Sequence, residues 1–451
     1  MKELTIIGGG LAGCEAAWQA AKRNVKVKLH EMRPDNSTGA HETSDLAELV
    51  CSNSLGSKLR DRASGLLKEE LRLLDSLLLD CAEETALPAG GALAVDREAF
   101  AALVTKRISE HPNIEVVREE VTTIPDGPTI IASGPLTSSK LANSIQKLLN
   151  DEGLAFFDAI APIINAETIN MEIAFRGSRY ERGDTNEGDY INCPFDKDQY
   201  DIFVEELIKA ERIGLKSFEK AINGGVKAGM HTFFEGCLPA EIIASRGQKS
   251  LAFGPMRPIG IWDPHKERRP YAVLQLRQDN FSGSLYNMVG FQTNLKFPEQ
   301  RRVFRMIPGL EKATFARYGQ MHRNTFIASP KFLYPTLQLK SREDLYFSGQ
   351  IVGVEGYIGN VASGALAGIN AARYINGIPL LTLPKTTMLG SLMEYITQAD
   401  LKDFQPMKAN FGILPPLEEK IKGKKLRYAA YADRALSSLE TFIKHQNFLQ
   451  V

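Results

Sequence analysis

An α/β fold, with one parallel-sheet domain split into two halves by a smaller α+β insertion, follows from three features of this 451-residue sequence. A strand, a glycine-rich turn, a helix and a second strand occupy the first thirty-one residues. A comparable strand and glycine turn open a small-residue helix after residue 345. Between them lies a long stretch of Phe-, Tyr- and Leu-rich segments without such a turn.

Length and composition agree with a folded chain of two or three domains, at roughly 150 residues each. Lys+Arg and Asp+Glu both number 54, so no global charge advertises a nucleic acid or an anionic membrane. Mean hydropathy is −0.18, and no apolar run approaches the roughly 18 residues of a spanning helix. The apolar opening is too short for a signal peptide. A cytoplasmic protein is expected, with no membrane association and no stable protein partner. The five cysteines (Cys14, Cys51, Cys81, Cys193 and Cys237) are odd in number and widely spaced. That pattern fits reduced thiols and neither a disulfide scaffold nor a metal site.

Each part of the N-terminal unit has a mechanical reason. Leu4-Thr5-Ile6-Ile7 reads as a strand, followed by Gly8-Gly9-Gly10-Leu11-Ala12-Gly13 and a run of helix formers. Gly8 allows the tight turn, Gly10 lets backbone amides approach a pyrophosphate, and Gly13 brings helix and strand together. The phosphates belong at the positive helix N-terminus. Val25 to Leu29 forms the second strand, and Glu31, 18 residues past Gly13, is placed to accept from a ribose diol. Its negative charge would repel a 2′-phosphate. This Rossmann-type site is therefore expected to hold FAD or NAD.

The second turn decides for FAD. Leu345-Tyr346-Phe347-Ser348-Gly349-Gln350 leads through Gly353 and Gly356 into Tyr357 and a helix from about Asn360 to Ile375. Two-part cradles of this kind bracket FAD, with the flavin half at the C-terminal turn. Asp is usual after the glycine; here Gln350 stands there. Thr129 to Gly134 resembles the strand that closes such a domain.

The remaining chain is read more coarsely. A leucine stripe predicts helix over 44–82, and further helices are expected near 98–110, 138–150 and 198–210. Strands are expected at 160–165 and 168–176, then an exposed loop over 176–188. An extended run is expected at Thr232-Phe233-Phe234, with helices over 388–449 around a basic turn at Lys420 to Arg427. The domain division expected is 1–190 for the first half, 191–328 for the insertion and 329–451 for the second half. Residues 257–340 hold fourteen Lys/Arg against five Asp/Glu, interleaved with rings including Trp262, Phe281, Tyr286, Phe291, Phe297 and Phe304. Such a mixture suits either an RNA-binding face or a solvated sheet with core aromatics. Arg257, Arg277 and His322 are substrate-contact candidates by charge and neighbourhood.

Cys51, in Leu49-Val50-Cys51-Ser52-Asn53-Ser54, and Cys237, in Gly236-Cys237-Leu238-Pro239, sit among small and turn-forming residues. Cys237 precedes an expected helix, whose dipole favours a thiolate. Cys14, Cys81 and Cys193 are read as buried packing.

Together GGGLAGCEAA, CSNSLG, FEGCLPAE, FGPMRPIG, NMVGFQTNLK and FSGQIVGVEGYIGN closely resemble the bacterial folate- and FAD-dependent tRNA (uracil-5-)-methyltransferases, over blocks from residue 8 to about 376. The resemblance implies methylation of C5 in the T-loop uridine of tRNA. Methylenetetrahydrofolate would donate the carbon, NADPH or NADH the electrons, and FAD would carry the methylene. It also implies that Cys237 is the nucleophile adding to uracil C6, that Cys51 assists proton transfer or protects the centre, and that Tyr357 lies close to the flavin. Gly8, Gly9, Gly10, Leu11, Ala12, Gly13 and Glu31, with Gly349, Gln350 and Gly356, match the family's FAD-binding blocks, and Gln350 is the family's own pattern. Three other readings stay open: the same chemistry on ribosomal RNA, an NAD(P)H-dependent thiol oxidoreductase, and an RNA-binding protein that keeps FAD as structure.

Overall fold

The computed structural model describes residues 3–38, 40–151, 154–185, 187–213, 238–402 and 404–446. Strand β1 (Glu3–Ile7), helix α1 (Leu11–Ala21) and strand β2 (Lys26–Glu31) form in the expected order. Four more strands join them: β3 (Ile114–Arg118), β4 (Thr129–Ile131), β5 (Gln338–Leu339) and β6 (Arg342–Phe347). The order is β5–β6–β4–β1–β2–β3. All neighbours are parallel except the β5–β6 edge pair. Leu4, Ile6 and Ile7 are buried, as a strand covered on both faces requires.

Two consequences matter for function. The chain leaves β1 towards β2 and β3 on one side and later fills β4 and β6 on the other, so a crevice opens at the carboxyl end of β1. And β6, over two hundred residues after β4, completes the same sheet, which makes this domain discontinuous as expected. Helix α2 (Tyr357–Ile375) then packs along α1 at backbone contact. A Cβ on Gly364 or Gly368 would stand 2.3 Å from the carbonyl oxygens of Ala12 and Ala16 respectively. The small residues of both helices serve this approach.

Residues 44–82 are not one helix. Helices run Ala63–Leu73 and Leu77–Glu84, broken at Asp75, whose φ is +57°, and Ser76 caps the second through its side chain. Upstream, Ser54–Ser57 is a strand pairing with Ala92–Val95. The leucine stripe is confined to 66–79, and the polar CSNS segment before it finds its backbone partners elsewhere.

The second unit is an antiparallel six-stranded sheet, ordered Phe175–Gly177, Tyr190–Phe195, Ala272–Gln278, Leu285–Met288, Ile163–Asn165, Phe315–Arg317. Its core gathers Ile164, Cys193, Tyr200, Phe203, Leu274 and Phe304, separate from the core around β1. The expected boundary at residue 190 falls within this sheet, at the first residue of one strand. Strand over 168–176 is realised only from Phe175, after a single 3-10 turn at Ala166–Thr168. Leu154–Ala159 carries the chain into this unit and pairs with Met321–Phe326, which brings it back. Lys424, Lys425 and Arg427 belong to the helix Lys424–His445 and not to a turn. The Thr232-Phe233-Phe234 run lies outside the described residues. No helix among those described is long and apolar enough to cross a membrane.

Candidate functional site

A cleft of about 1000 Å³ opens where β1, β2 and β4 end, lined by Gly8, Gly10, Leu11, Ala12, Glu31, Gly349, Gln350 and Tyr357 among others. Its shape comes from the glycines. Gly8 has φ +109°, and a Cβ there would meet the Ala132 carbonyl oxygen at 2.6 Å. Gly13 faces away from the cleft and packs helix against turn, because a Cβ would fall 1.8 Å from the Gly8 carbonyl oxygen. Gly10 differs from both: a Cβ on it would meet nothing within 4 Å, only the cleft. There the backbone at the start of α1 lies open to a ligand, which suits a pyrophosphate held by helix N–H groups. Gly349, with φ +83°, would place a Cβ 2.9 Å from that of Ala12, so the second turn closes directly on the first.

Glu31 is fixed before any ligand arrives. One carboxylate oxygen accepts from the Gly9 amide at 3.0 Å; the other accepts from the Arg33 amide at 3.0 Å and its Nε at 2.9 Å. Burial alone would raise its pKa, but the Arg33 hydrogen bonds and charge hold it below the ordinary carboxylate value. Arg33 also pairs with Glu48 at 2.9 Å. His41 lies on the same wall, its pKa lowered to about 4 by burial and then by the Arg33 charge, so it is neutral at physiological pH. Arg33, His41 and Glu48 were missed by sequence reading. Only Arg33, two residues beyond Glu31, carried a local signal.

A second cleft of about 840 Å³ continues the first, and the two share Val50, Pro135, Leu136, Gln350, Tyr357 and Asn360. Cys51, Ser52 and Gly356 line this part. The Tyr357 hydroxyl accepts from the amides of Cys51 at 2.7 Å and Ser52 at 3.1 Å. Burial, and then the neighbouring Cys51, keep that hydroxyl protonated by raising its pKa. Gln350 donates to Glu355 at 3.0 Å.

Behind the Cys51 loop stand two arginines, Arg277 buried and Arg97 nearly so. Arg97 donates from Nη1 to the Leu49 carbonyl at 2.8 Å and from Nη2 to that of Cys51 at 3.5 Å, and its Nε lies 2.9 Å from Asp279. Burial works against its charge, and Asp279 more than reverses that, so its pKa rises. Arg277 donates to the Asn53 side chain at 2.7 Å, while Asn53 donates to the carbonyls of Val95 at 3.0 Å and Gln278 at 2.8 Å. The loop is thus gripped from both units. A dinucleotide cradle therefore opens onto a thiol whose backbone is fixed on both sides.

A family described as "Glucose inhibited division protein A" matches residues 3–379. "Methylenetetrahydrofolate--tRNA-(uracil-5-)-methyltransferase TrmFO" of Anoxybacillus flavithermus is 55% identical over 98% of this chain and 99% of its own length. The protein of the same name from Bacillus pumilus is 54% identical, with equal coverage. The chain belongs to the TrmFO family. A crystal structure of Aquifex aeolicus GidA shares the fold, with a TM-score of 0.71 at 16% identity, covering 99% of this chain and 74% of that one.

Against the TrmFO motifs, the structure brings Cys51, Tyr357, Gly356, Gln350 and the N-terminal glycines to one continuous cleft. Cys237 lies outside the described residues, which resume at Leu238, just ahead of the helix Ala240–Ser245. Arg277 is buried behind the Cys51 loop and Arg257 is exposed at the surface. His322 lies in the strand Met321–Phe326, its side chain outside what is described. Cys14, Cys81 and Cys193 are buried. Burial raises all three thiols, Cys81 to about 12, so they are packing residues. The aromatic run divides: Tyr286, Phe291, Phe304 and Phe326 are core, while Trp262, Phe281 and Phe297 are exposed.

Proposed function

We propose that this chain converts a T-loop uridine of tRNA to 5-methyluridine, with methylenetetrahydrofolate as carbon donor and NADPH or NADH as reductant. The observation that carries the reading is the joining of the two clefts at Tyr357, whose hydroxyl receives the Cys51 amide. FAD fits the first cleft: Gly10 leaves room where a pyrophosphate would approach, Glu31, already held by Gly9 and Arg33, would accept from the ribose, and the turn at Gly349 would receive the flavin half. Bound there, FAD would supply the methylene transfer and the hydride.

The chain's own residues handle the uridine. Uracil C5 is a weak nucleophile until a thiolate adds at C6, and Cys237 is assigned that addition. The C5 proton must then leave. Cys51, lining the second cleft, is assigned to that proton or to shielding the centre. Tyr357 and Arg97 hold its peptide in place from opposite sides. In the net reaction the C5–H bond is replaced by C5–CH3, methylenetetrahydrofolate leaves as tetrahydrofolate, and two electrons come from NAD(P)H. Because the uridine must leave its stack to react, its cost is partly met by the binding of neighbouring nucleotides.

Purified protein, unmodified tRNA transcript, methylenetetrahydrofolate and NADPH, followed by nucleoside mass spectrometry, tests this reading. The wild type is expected to form 5-methyluridine in the T loop and Cys237→Ala to form none. Product from Cys237→Ala would remove the nucleophile assignment; no product from either protein on tRNA would remove the substrate.

A further inference from the structure

An exposed aromatic and basic face lies on the unit that grips the Cys51 loop through Arg277, built from two segments far apart in sequence. Arg179 donates to the carbonyls of Arg257 at 2.6 Å and Ile259 at 2.8 Å and to the Gln275 side chain at 2.8 Å, fastening the 253–262 loop onto the antiparallel sheet. Next to it Tyr180 takes φ +58°, which a tyrosine seldom adopts. Its amide donates to Gly260 at 2.7 Å, and its ring lies over that glycine, where a Cβ would come within 3.0 Å of the ring carbons. The ring does not use this contact to hide: Tyr180 is 62% exposed, Trp262 62% and Phe253 76%.

The charges around these rings are one-sided. Residues 246–269 hold six Lys/Arg and two Asp/Glu. One of the acids, Asp263, is buried and spends a carboxylate oxygen on the amides of His265 and Lys266, shaping the turn that exposes Lys266, Arg268 and Arg269. Arg257, Lys266, Arg268 and Arg269 form no ion pair among the described residues. Large rings left in water next to unpaired cations are the means by which proteins hold unpaired nucleotides: bases stack and phosphates are neutralised. The position fits too. Gln275, which holds Arg179, and Arg277, which holds Asn53, lie two residues apart on one strand, about 7 Å.

We propose that Tyr180, Trp262 and the basic turn at 263–269 form the docking surface for unpaired nucleotides of the RNA substrate and their phosphates, on the unit whose Arg277 grips the Cys51 loop. This rests on the reading of the chain as a tRNA enzyme. The face acts in binding, so it sets KM for the RNA and not the rate once RNA is bound.

The test uses the FAD-loaded full chain and unmodified tRNA transcript, measuring affinity by fluorescence anisotropy across a salt series and KM and kcat by nucleoside analysis. Trp262→Ala and Tyr180→Ala are each expected to weaken affinity and raise KM about tenfold, with kcat at saturating tRNA retained. A triple variant, Lys266→Gln with Arg268→Gln and Arg269→Gln, should also flatten the salt dependence by roughly 0.7–0.9 per lost phosphate contact. Melting temperature and FAD content report folding. If the wild type binds tRNA and these variants bind it within twofold, the surface is overturned while the function stands. If ring variants lower kcat with KM unchanged, the docking role is likewise overturned. A wild type that binds no tRNA overturns the functional reading and this surface with it.

Discussion

At Gly10 and Gly13 the same substitution, glycine to alanine, is expected to have different consequences. A Cβ on Gly13 would collide with the Gly8 carbonyl oxygen at 1.8 Å, so Gly13→Ala must open the strand–helix turn, at a cost of about 2–3 kcal/mol. Gly10 has an ordinary φ of −80° and space beyond it, so Gly10→Ala should change the stability of the FAD-free protein by no more than about 0.5 kcal/mol. Its loss should appear as weaker FAD binding. Thermal melting without FAD and a flavin titration separate the two; a Gly10→Ala protein with undiminished FAD affinity would contradict the cradle. His41 gives a pH prediction. Its pKa is about 4 when folded and about 6.5 when unfolded. Between those values the unfolded chain binds the extra proton, so stability rises with pH across that window and is level above it. His41→Asn should flatten that part of a melting-temperature profile, and an unchanged profile would show that His41 is not held neutral.

Among the elements, those whose cause is local could be read in the sequence and those whose cause is remote could not. The β1–turn–α1–β2 unit appears as expected because every reason for it lies within thirty-one residues. The leucine stripe suggested helix as far back as residue 44, yet Ser54–Ser57 is a strand because its partner is Ala92–Val95. The small polar neighbours of Cys51 mark it locally, but Tyr357, which fixes its amide, is 306 residues away, and nothing local names Arg97 or Asp279 as its other supports. Tyr357→Phe tests that contact. It leaves two amides without their acceptor, costing about 1–3 kcal/mol, and hydrogen exchange at Cys51 and Ser52 should speed up. Unchanged exchange there would mean that the loop is held by other means.

The whole molecule is two cores joined behind the Cys51 loop, where Arg277 and Asp279 of the second unit hold Asn53 and Arg97 of the first. The discontinuous first domain was foreseeable from two glycine turns far apart. The seam was not, because Arg97–Asp279 and Asn53–Arg277 connect residues with no sequence pattern in common. Breaking a buried ion pair by removing one partner costs about 3–5 kcal/mol, since the other charge stays buried. Asp279→Asn should therefore lower the melting temperature and reduce activity, whereas a variant with wild-type melting and turnover would show that the seam does not support the site. At this scale the methyl carbon is expected to come from the folate, and a labelled donor tests that origin. Incubating the protein with tRNA transcript, NADPH and methylenetetrahydrofolate carrying carbon-13 in its methylene group should give 5-methyluridine that is fully labelled in the methyl group. Unlabelled 5-methyluridine would contradict a folate origin for the methyl group.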